Sequence, residues 1–373
     1  MTASGPEALR VGQKRRVGLR RPRPPRGSLA ATLDPRDNGL NLLRLIMASG
    51  VIIYHSFRLA DVRIPGAPLE QGLENIWVDG FFVLSGFLIA GSWLRRPNIG
   101  AYLRNRMLRI YPAFVVCLVV TAFVLAPIGT MMSGEHLVLA DQVRYVVVNL
   151  GLLIREYDIG GTPDTVAWTG AWNGSLWTLF WEFLCYLGVL LAGVLGLLRR
   201  RWGVPVLFAG AWLFQLATTL TAIGEMRVPI VMHRIGSLAL EDAARFAITF
   251  TAGMLIYHLR ERLVASWMWV ALATAGLVAS MWLPEYRLLG AFLLAYALVA
   301  AGALMNHRWM ILRTDISYGV YIYAFPIQQI LAIAGVPAYG LLLYALAAFA
   351  ITCVLAWLSW TLVEERALRL KAR

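Results

Sequence analysis

Apolar runs of about 20 residues dominate this chain, and an α-helix needs about that length to cross a lipid bilayer. Inside a bilayer the backbone amides must be bonded within the chain, so runs of this length are expected to be helices. Ten runs qualify, at residues 40–59, 75–94, 107–127, 174–198, 204–222, 241–259, 264–283, 286–306, 314–334 and 338–363. The sequence therefore predicts an all-α fold, a polytopic membrane bundle of about ten transmembrane helices. A shorter apolar stretch at 143–154 is too brief to cross easily, and its role stays open.

The composition excludes several classes of protein. Hydrophobic residues make up 59% of the 373 residues and charged residues 15%, against about 45–50% and 25% in soluble domains. The three cysteines lie in apolar runs without the spacing of a metal clip or a disulfide pair. The motifs of zinc proteases, serine hydrolases and phosphate-binding loops are absent from the sequence. We therefore expect no metal site and no disulfide.

The positively charged residues are concentrated in segments that would lie on one side of the membrane. Basic residues are abundant before the first apolar run and in every second connection after it, whereas residues 128–173 carry five acidic residues. Cytoplasmic loops hold the excess of Lys and Arg, so both termini are predicted to be cytoplasmic, which requires an even number of spans. Topology then explains the net charge of +13, and no nucleic-acid partner is expected.

Three segments follow from the same pattern. Residues 1–36 are rich in Arg and Pro and have no apolar core, which predicts a disordered basic cytoplasmic tail near anionic lipid headgroups. Residues 37–365 hold all the apolar runs and are predicted to form the transmembrane domain. Residues 366–373 are predicted to form a short basic cytoplasmic tail.

An ionisable pair, Arg44 and His55, lies in the first apolar run. Eleven helical positions return to within about 20° of the same face after a rise of about 16 Å, so one face carries a cation and a base at two depths. Charged groups are costly inside a membrane, and such a pair is a functional-site hypothesis by default. The alternative is an Arg that reaches the interface and a neutral, structural His.

Two acids are expected near the depth of His55. Asp79, at the start of the second run, could accept a hydrogen bond from the imidazole and orient it, or could cap its helix. Glu182 falls about two turns into the fourth run, with His55 or an arginine as its candidate partner. Either acid has a structural alternative.

Arginines and tryptophans supply candidate binding residues. Arg106 and Arg109 are three apart on one helix face at the cytoplasmic boundary, where paired guanidinium groups suit phosphates. Anchoring of the helix alone would also place arginines there. Trp177 lies among several tryptophans at the mouth of the fourth run, where aromatic rings either stack on sugars or form an interfacial belt.

Five segments together resemble the acyltransferase-3 family of bacterial integral-membrane acyltransferases, from about residue 40 to residue 365. The matching elements are Arg44 with His55, and residues 78–87, 106–112, 176–182 with Tyr186, and 317–326. Two positions depart from the family pattern. Ala324 stands where many members have His, so a second acid-base histidine is absent, and Asn41 stands where Asp is frequent.

The resemblance implies a membrane O-acyltransferase in the bacterial cytoplasmic (inner) membrane. It would move an acyl group, most often acetyl, from acyl-CoA to a hydroxyl of a cell-surface polysaccharide, lipopolysaccharide or lipid-linked glycan. Acyl-CoA is a cosubstrate here, and no tightly bound cofactor is expected. The implied catalytic residues are His55, Asp79 and Glu182; the implied CoA-binding residues are Arg44, Arg106 and Arg109; the implied substrate residues are Trp177 and Tyr318.

Other functions stay open at this point. The acceptor could be a small molecule such as a macrolide, or the intramembrane charges could belong to a transporter or flippase. The sequence leaves undecided the acyl chain, the acceptor, direct transfer against an acyl-enzyme, and the oligomeric state.

Overall fold

The computed structural model of the protein describes residues 25–225 and 234–371, and the side chains of 222–238 fall outside this description. All regular secondary structure in these ranges is helical, which agrees with the predicted all-α class. The principal helices are α1 (Leu29–Thr32), α2 (Leu40–Leu59), α3 (Leu69–Arg95), α4 (Ile99–Val120), α5 (Ala126–Ser133), α6 (Leu139–Asn149), α7 (Thr178–Val194), α8 (Gly203–Glu225), α9 (Arg234–Leu259), α10 (Trp267–Ser280), α11 (Arg287–Leu304), α12 (Ser317–Ile333), α13 (Leu341–Ser359) and α14 (Glu365–Arg369).

Each of the ten apolar runs overlaps at least one of these helices. Among the described residues, six helical segments are long and apolar enough to cross a membrane: Leu40–Leu59, Leu69–Arg95, Ile99–Ser133, Gly203–Thr221, Arg287–Leu304 and Leu341–Arg369. The third and last of these continue through π-helical turns at Thr121–Leu125 and Trp360–Glu364. The protein is therefore a helical membrane protein, while ten crossings and the side of each terminus stay predictions.

The chain outside the long helices consists of short helices and irregular connections, among them residues 150–177. The stretch predicted at 143–154 lies partly in α6, which has 11 residues and ends at Asn149. Most of the predicted tail, residues 1–24, lies outside the described residues, as do 372–373. Within the predicted tail, α1 packs against the bundle: Leu29 is fully buried, and its N–H donates to the carbonyl of Leu263 at 2.7 Å. The part of the chain that packs on the bundle therefore begins before residue 36, inside the predicted tail.

Helix α3 lies at the centre of the packing and contacts α2, α7, α9 and α11. It approaches α9 closely, because Gly86 and Gly253 face the opposite backbone. A Cβ atom at Gly86 would lie 2.0 Å from the carbonyl oxygen of Phe250, and one at Gly253 would lie 2.0 Å from that of Val83. Small residues allow such contacts between membrane helices. The site is built around this pair of helices.

Replacing Gly86 by Ala is expected to lower the thermal stability of the purified protein. The added methyl group has no space unless α3 and α9 separate, and overpacking of this kind costs about 1–3 kcal/mol. Thermal unfolding in detergent measures the effect. The matched control is Gly188→Ala, since a Cβ atom there has no neighbour within 4 Å; equal melting of the two variants would contradict the close approach.

Candidate active site

His55 lines a cavity of about 660 Å³, called here the His55 cavity. Its wall is aromatic and charged, and includes Trp77, Trp177, Asp242 and Arg245. Trp177, which the sequence predicts to be a substrate residue, thus lies in the same wall as His55. The cavity is large enough for a ligand, because small-molecule sites measure about 300–1,000 Å³.

Arg44 lines a second and much smaller cavity of about 30 Å³, called here the Arg44 cavity. Glu182 and Tyr318 also line it. The Arg44–His55 pair on α2 therefore faces two cavities. Val78, Thr178 and Tyr321 line both cavities, so these side chains form the boundary between them, called here the constriction. The hydroxyls of Thr178 and Tyr321 lie 2.6 Å apart, within hydrogen-bond distance.

The imidazole of His55 is held by aromatic rings. It contacts Phe325 edge-on with 5.0 Å between ring centroids, and Trp168 edge-on at 6.2 Å. The side chain is buried, and Nδ1 has no hydrogen-bond partner among the described residues. The predicted hydrogen bond between Asp79 and His55 is therefore not formed.

Asp79 binds two arginines instead. Its fully buried carboxylate accepts hydrogen bonds from Arg245 Nε at 2.8 Å, Arg287 Nε at 2.6 Å and the hydroxyl of Tyr286 at 2.5 Å. Arg287 also pairs with Glu285. A buried carboxylate needs opposite charge and several hydrogen bonds to offset its lost hydration, and the guanidinium groups of α9 and α11 supply both. Asp79 thus positions Arg245 in the cavity wall rather than the imidazole.

The predicted CoA-binding arginines meet at a residue that the sequence analysis did not single out. Asp315 Oδ2 lies 2.6 Å from Arg44 Nη1 and 2.5 Å from Arg109 Nη2. The other carboxylate oxygen accepts from the hydroxyl of Ser317 at 2.5 Å. The guanidinium of Arg109 also lies over the ring of Tyr318, 5.9 Å from its centroid. Arg44 and Arg109 are thus neighbours in space.

Arg106 completes this group of cations. Its guanidinium lies over the ring of Tyr186 at 5.7 Å, and its Nε atom is buried without a hydrogen-bond partner among the described residues. Lys371 adds a further charge: burial and the nearby arginines, Arg109 first, lower the pKa of its ammonium group to about 8. Arg44, Arg106, Arg109 and Lys371 are called the basic cluster below.

Glu182 has hydroxyl partners. Its Oε1 atom accepts from Ser85 at 2.9 Å and from Tyr186 at 2.5 Å. Within the described part of the chain it forms no hydrogen bond with His55 and no ion pair with an arginine, so neither expected partner is observed. Its place beside Arg44 in the smaller cavity favours a supporting role for the basic cluster over proton transfer at His55.

The residues that the sequence analysis missed are Arg245, Arg287 and Asp315. Arg245 lies inside an apolar run, and Arg287 and Asp315 each lie at the start of another. A charged residue in an apolar run is costly inside a membrane, and this cost could have marked all three as candidate site residues. Their pairing with Asp79, Arg44 and Arg109 was not readable, because these partners lie on helices distant in sequence.

Replacing Asp79 by Asn is expected to destabilise the protein strongly. Two buried guanidinium groups would lose their shared counter-charge, and breaking a buried ion pair costs about 3–5 kcal/mol. Thermal unfolding and yield from membranes measure this, with the exposed Asp37→Asn as control. A melting temperature for Asp79→Asn equal to that of the control would refute the counter-ion role.

Comparison with known proteins finds a matching family and two similar proteins. The family described as "Acyltransferase domain" matches residues 37–361. The chain is 27% identical over 336 residues to a protein named O-acetyl transferase from Shigella phage Sf6, covering 89% of this chain and 96% of the relative. It is 25% identical over 363 residues to Nodulation protein 10 of Rhizobium leguminosarum bv. viciae, covering 90% and 94%. No solved structure matches the chain.

Proposed function

The chain belongs to this acyltransferase family, and we propose that it transfers an acetyl group from acetyl-CoA to a hydroxyl of a cell-surface glycan. The observation that carries the proposal is the imidazole of His55 in the wall of a 660 Å³ cavity. A histidine within reach of an acceptor hydroxyl can remove its proton as it attacks. The similarity to an O-acetyl transferase supports acetyl as the group and oxygen as the acceptor atom.

The chemistry of the cavity wall supports a glycan acceptor. Trp168 and Trp177 present aromatic faces, on which sugar rings stack, and Asp242 and Arg245 present charged hydrogen-bonding groups. A polar groove of about 690 Å³ adjoins the cavity through Tyr54, Glu74 and Trp168, which line both spaces. An acceptor longer than one sugar could extend into this groove.

The basic cluster supports the binding of CoA. Guanidinium groups recognise phosphates in bidentate geometry, and the phosphates of CoA would compete with Asp315 for Arg44 and Arg109. The rise between Arg44 and His55 on α2 is about 16 Å, which the pantetheine arm would follow. The thioester would pass the constriction formed by Val78, Thr178 and Tyr321, so this passage has to widen when the donor binds.

Replacing His55 by Ala is expected to reduce acetyl transfer by about 10²–10⁴-fold, the range supplied by a general base. Protein yield and melting temperature should change little, since no hydrogen bond to the imidazole is seen among the described residues. Thiol release from acetyl-CoA by the purified protein, and the acetyl mass on surface glycan from expressing cells, measure the activity.

The control for this test is His307→Ala, which alters an exposed histidine outside the cavity. Full transfer by His55→Ala would reject His55 as the base. Solute uptake by the wild type without consumption of acetyl-CoA would identify a transporter instead.

Donor affinity is expected to fall as pH rises through about 8. The lowered pKa of Lys371 means that its ammonium is charged below this pH and neutral above it. Loss of a partly exposed charge pair is worth about 0.2–1 kcal/mol, or up to roughly fivefold in affinity. Isothermal titration with CoA from pH 7 to pH 9 measures the change. Lys371→Arg, which stays charged, should remove this part of the pH dependence; an identical pH profile would place Lys371 outside the donor site.

A further inference from the structure

Three buried polar atoms without hydrogen-bond partners belong to residues that line the His55 cavity. They are Nδ1 of His55, Nε1 of Trp77 and Oγ of Ser175. Buried polar groups are nearly always bonded, and leaving one unbonded costs about 1–3 kcal/mol. All three residues line one cavity, so a ligand bound there would satisfy these atoms after a small movement of the side chains.

We propose that the indole N–H of Trp77 and the hydroxyl of Ser175 donate hydrogen bonds to the carbonyl oxygen of the acetyl thioester. This inference rests on the proposed function. Donors aimed at an oxygen that gains negative charge stabilise the transition state more than the ground state. Trp77 and Ser175 would then be catalytic residues in addition to His55.

The two donors act in one balanced sequence. The acceptor oxygen forms a bond to the carbonyl carbon as its proton moves to His55, and the carbonyl electron pair becomes an oxyanion held by Trp77 and Ser175. Collapse of this intermediate breaks the carbon–sulfur bond. The proton on His55 then passes to the departing sulfur, which gives the acetyl ester and CoA with a free thiol.

Trp77 is held rigidly in the wall of the cavity. Its indole lies against the backbone of α2 at Gly50, five residues before His55, where an added Cβ atom would lie 2.1 Å from Cδ2 of the indole. Any larger residue at position 50 would displace the ring. The indole N–H can only donate, so it suits an oxyanion and no cation.

Ser175 is equally constrained. Its backbone N–H donates to Asn173 Oδ1 at 3.2 Å, and its carbonyl accepts from the hydroxyls of Tyr321 at 3.0 Å and Thr178 at 3.3 Å. These contacts fix the backbone and leave the side-chain hydroxyl to rotate toward a ligand. Ser175 is only 2% exposed, so bulk water competes little for this hydroxyl.

Arg245 is a charged donor in the cavity wall, but two of its nitrogen atoms already have partners. Its Nε atom binds Asp79, and its Nη2 atom lies 3.4 Å from the carbonyl of Asn75. Within the part of the chain that the structure describes, the side-chain donors of Trp77 and Ser175 have no hydrogen-bond partner. The oxyanion is therefore assigned to this pair.

The test compares Trp77→Phe and Ser175→Ala, each of which removes one donor and keeps most of the side-chain volume. The probes are acetyl-CoA labelled in the acetyl group and membranes from a strain that lacks this gene. Each variant is expected to lower kcat about 10²-fold, the effect of removing one oxyanion donor. The KM for acetyl-CoA and the melting temperature should stay close to wild type, which a merely structural role would not produce.

The matched controls are Trp282→Phe and Ser280→Ala, which lie outside the cavity and should keep wild-type kcat. Wild-type kcat in Trp77→Phe and Ser175→Ala, with His55→Ala inactive, would overturn this inference and leave the proposed function intact. A loss explained by a raised KM or lowered melting temperature would also overturn it. A wild type with no transfer from acetyl-CoA would overturn both.

Discussion

The buried ion pairs of Asp79 hold the candidate site together. One carboxylate on α3 binds Arg287 on α11 and Arg245 on α9, and all three side chains are largely buried. A charge placed there without partners would cost several kcal/mol, so the three helices have to stay in register. The same register places Trp77 and Arg245 in the wall of the His55 cavity. The shape of that cavity therefore depends on an interaction that does not touch the imidazole.

A second buried acid organises the other end of the arginine–histidine face. Asp315 holds Arg44 of α2 and Arg109 of α4 through one carboxylate oxygen. The carboxylate holds two guanidinium groups beside each other. Under the proposed function, a phosphate of the donor would replace this carboxylate as their partner. The two acids thus have comparable roles: Asp79 supports the wall around His55, and Asp315 gathers the cations proposed for the donor. These two halves of the site meet at Val78, Thr178 and Tyr321, which line both cavities.

The sequence predicted more of the fold than of the candidate site. The all-α class and a helix at each apolar run followed from length and hydropathy, which are local properties. Family membership followed from five ordered motifs and is confirmed by the family match over residues 37–361. The partners of Asp79 and Glu182 were not obtained, because hydrogen bonding inside a bundle depends on helix rotation and depth, which no single run encodes. Asp79 was matched to His55 by depth alone, and depth does not say which face of α3 it occupies.

By itself, the sequence determined that this chain forms membrane helices, that one of them carries a cation and a base, and that it is an acyltransferase. These conclusions rest on the spacing of residue types along one helix and on motif order, which need no knowledge of neighbours. Only the tertiary structure decided that Asp79 serves Arg245, that Asp315 joins Arg44 to Arg109, and that Trp77 and Ser175 share a cavity with His55. The physical reason is that a buried polar atom takes its partner from whichever helix packs against it, and that packing is set by contacts such as Gly86 on Phe250 and Gly50 on Trp77.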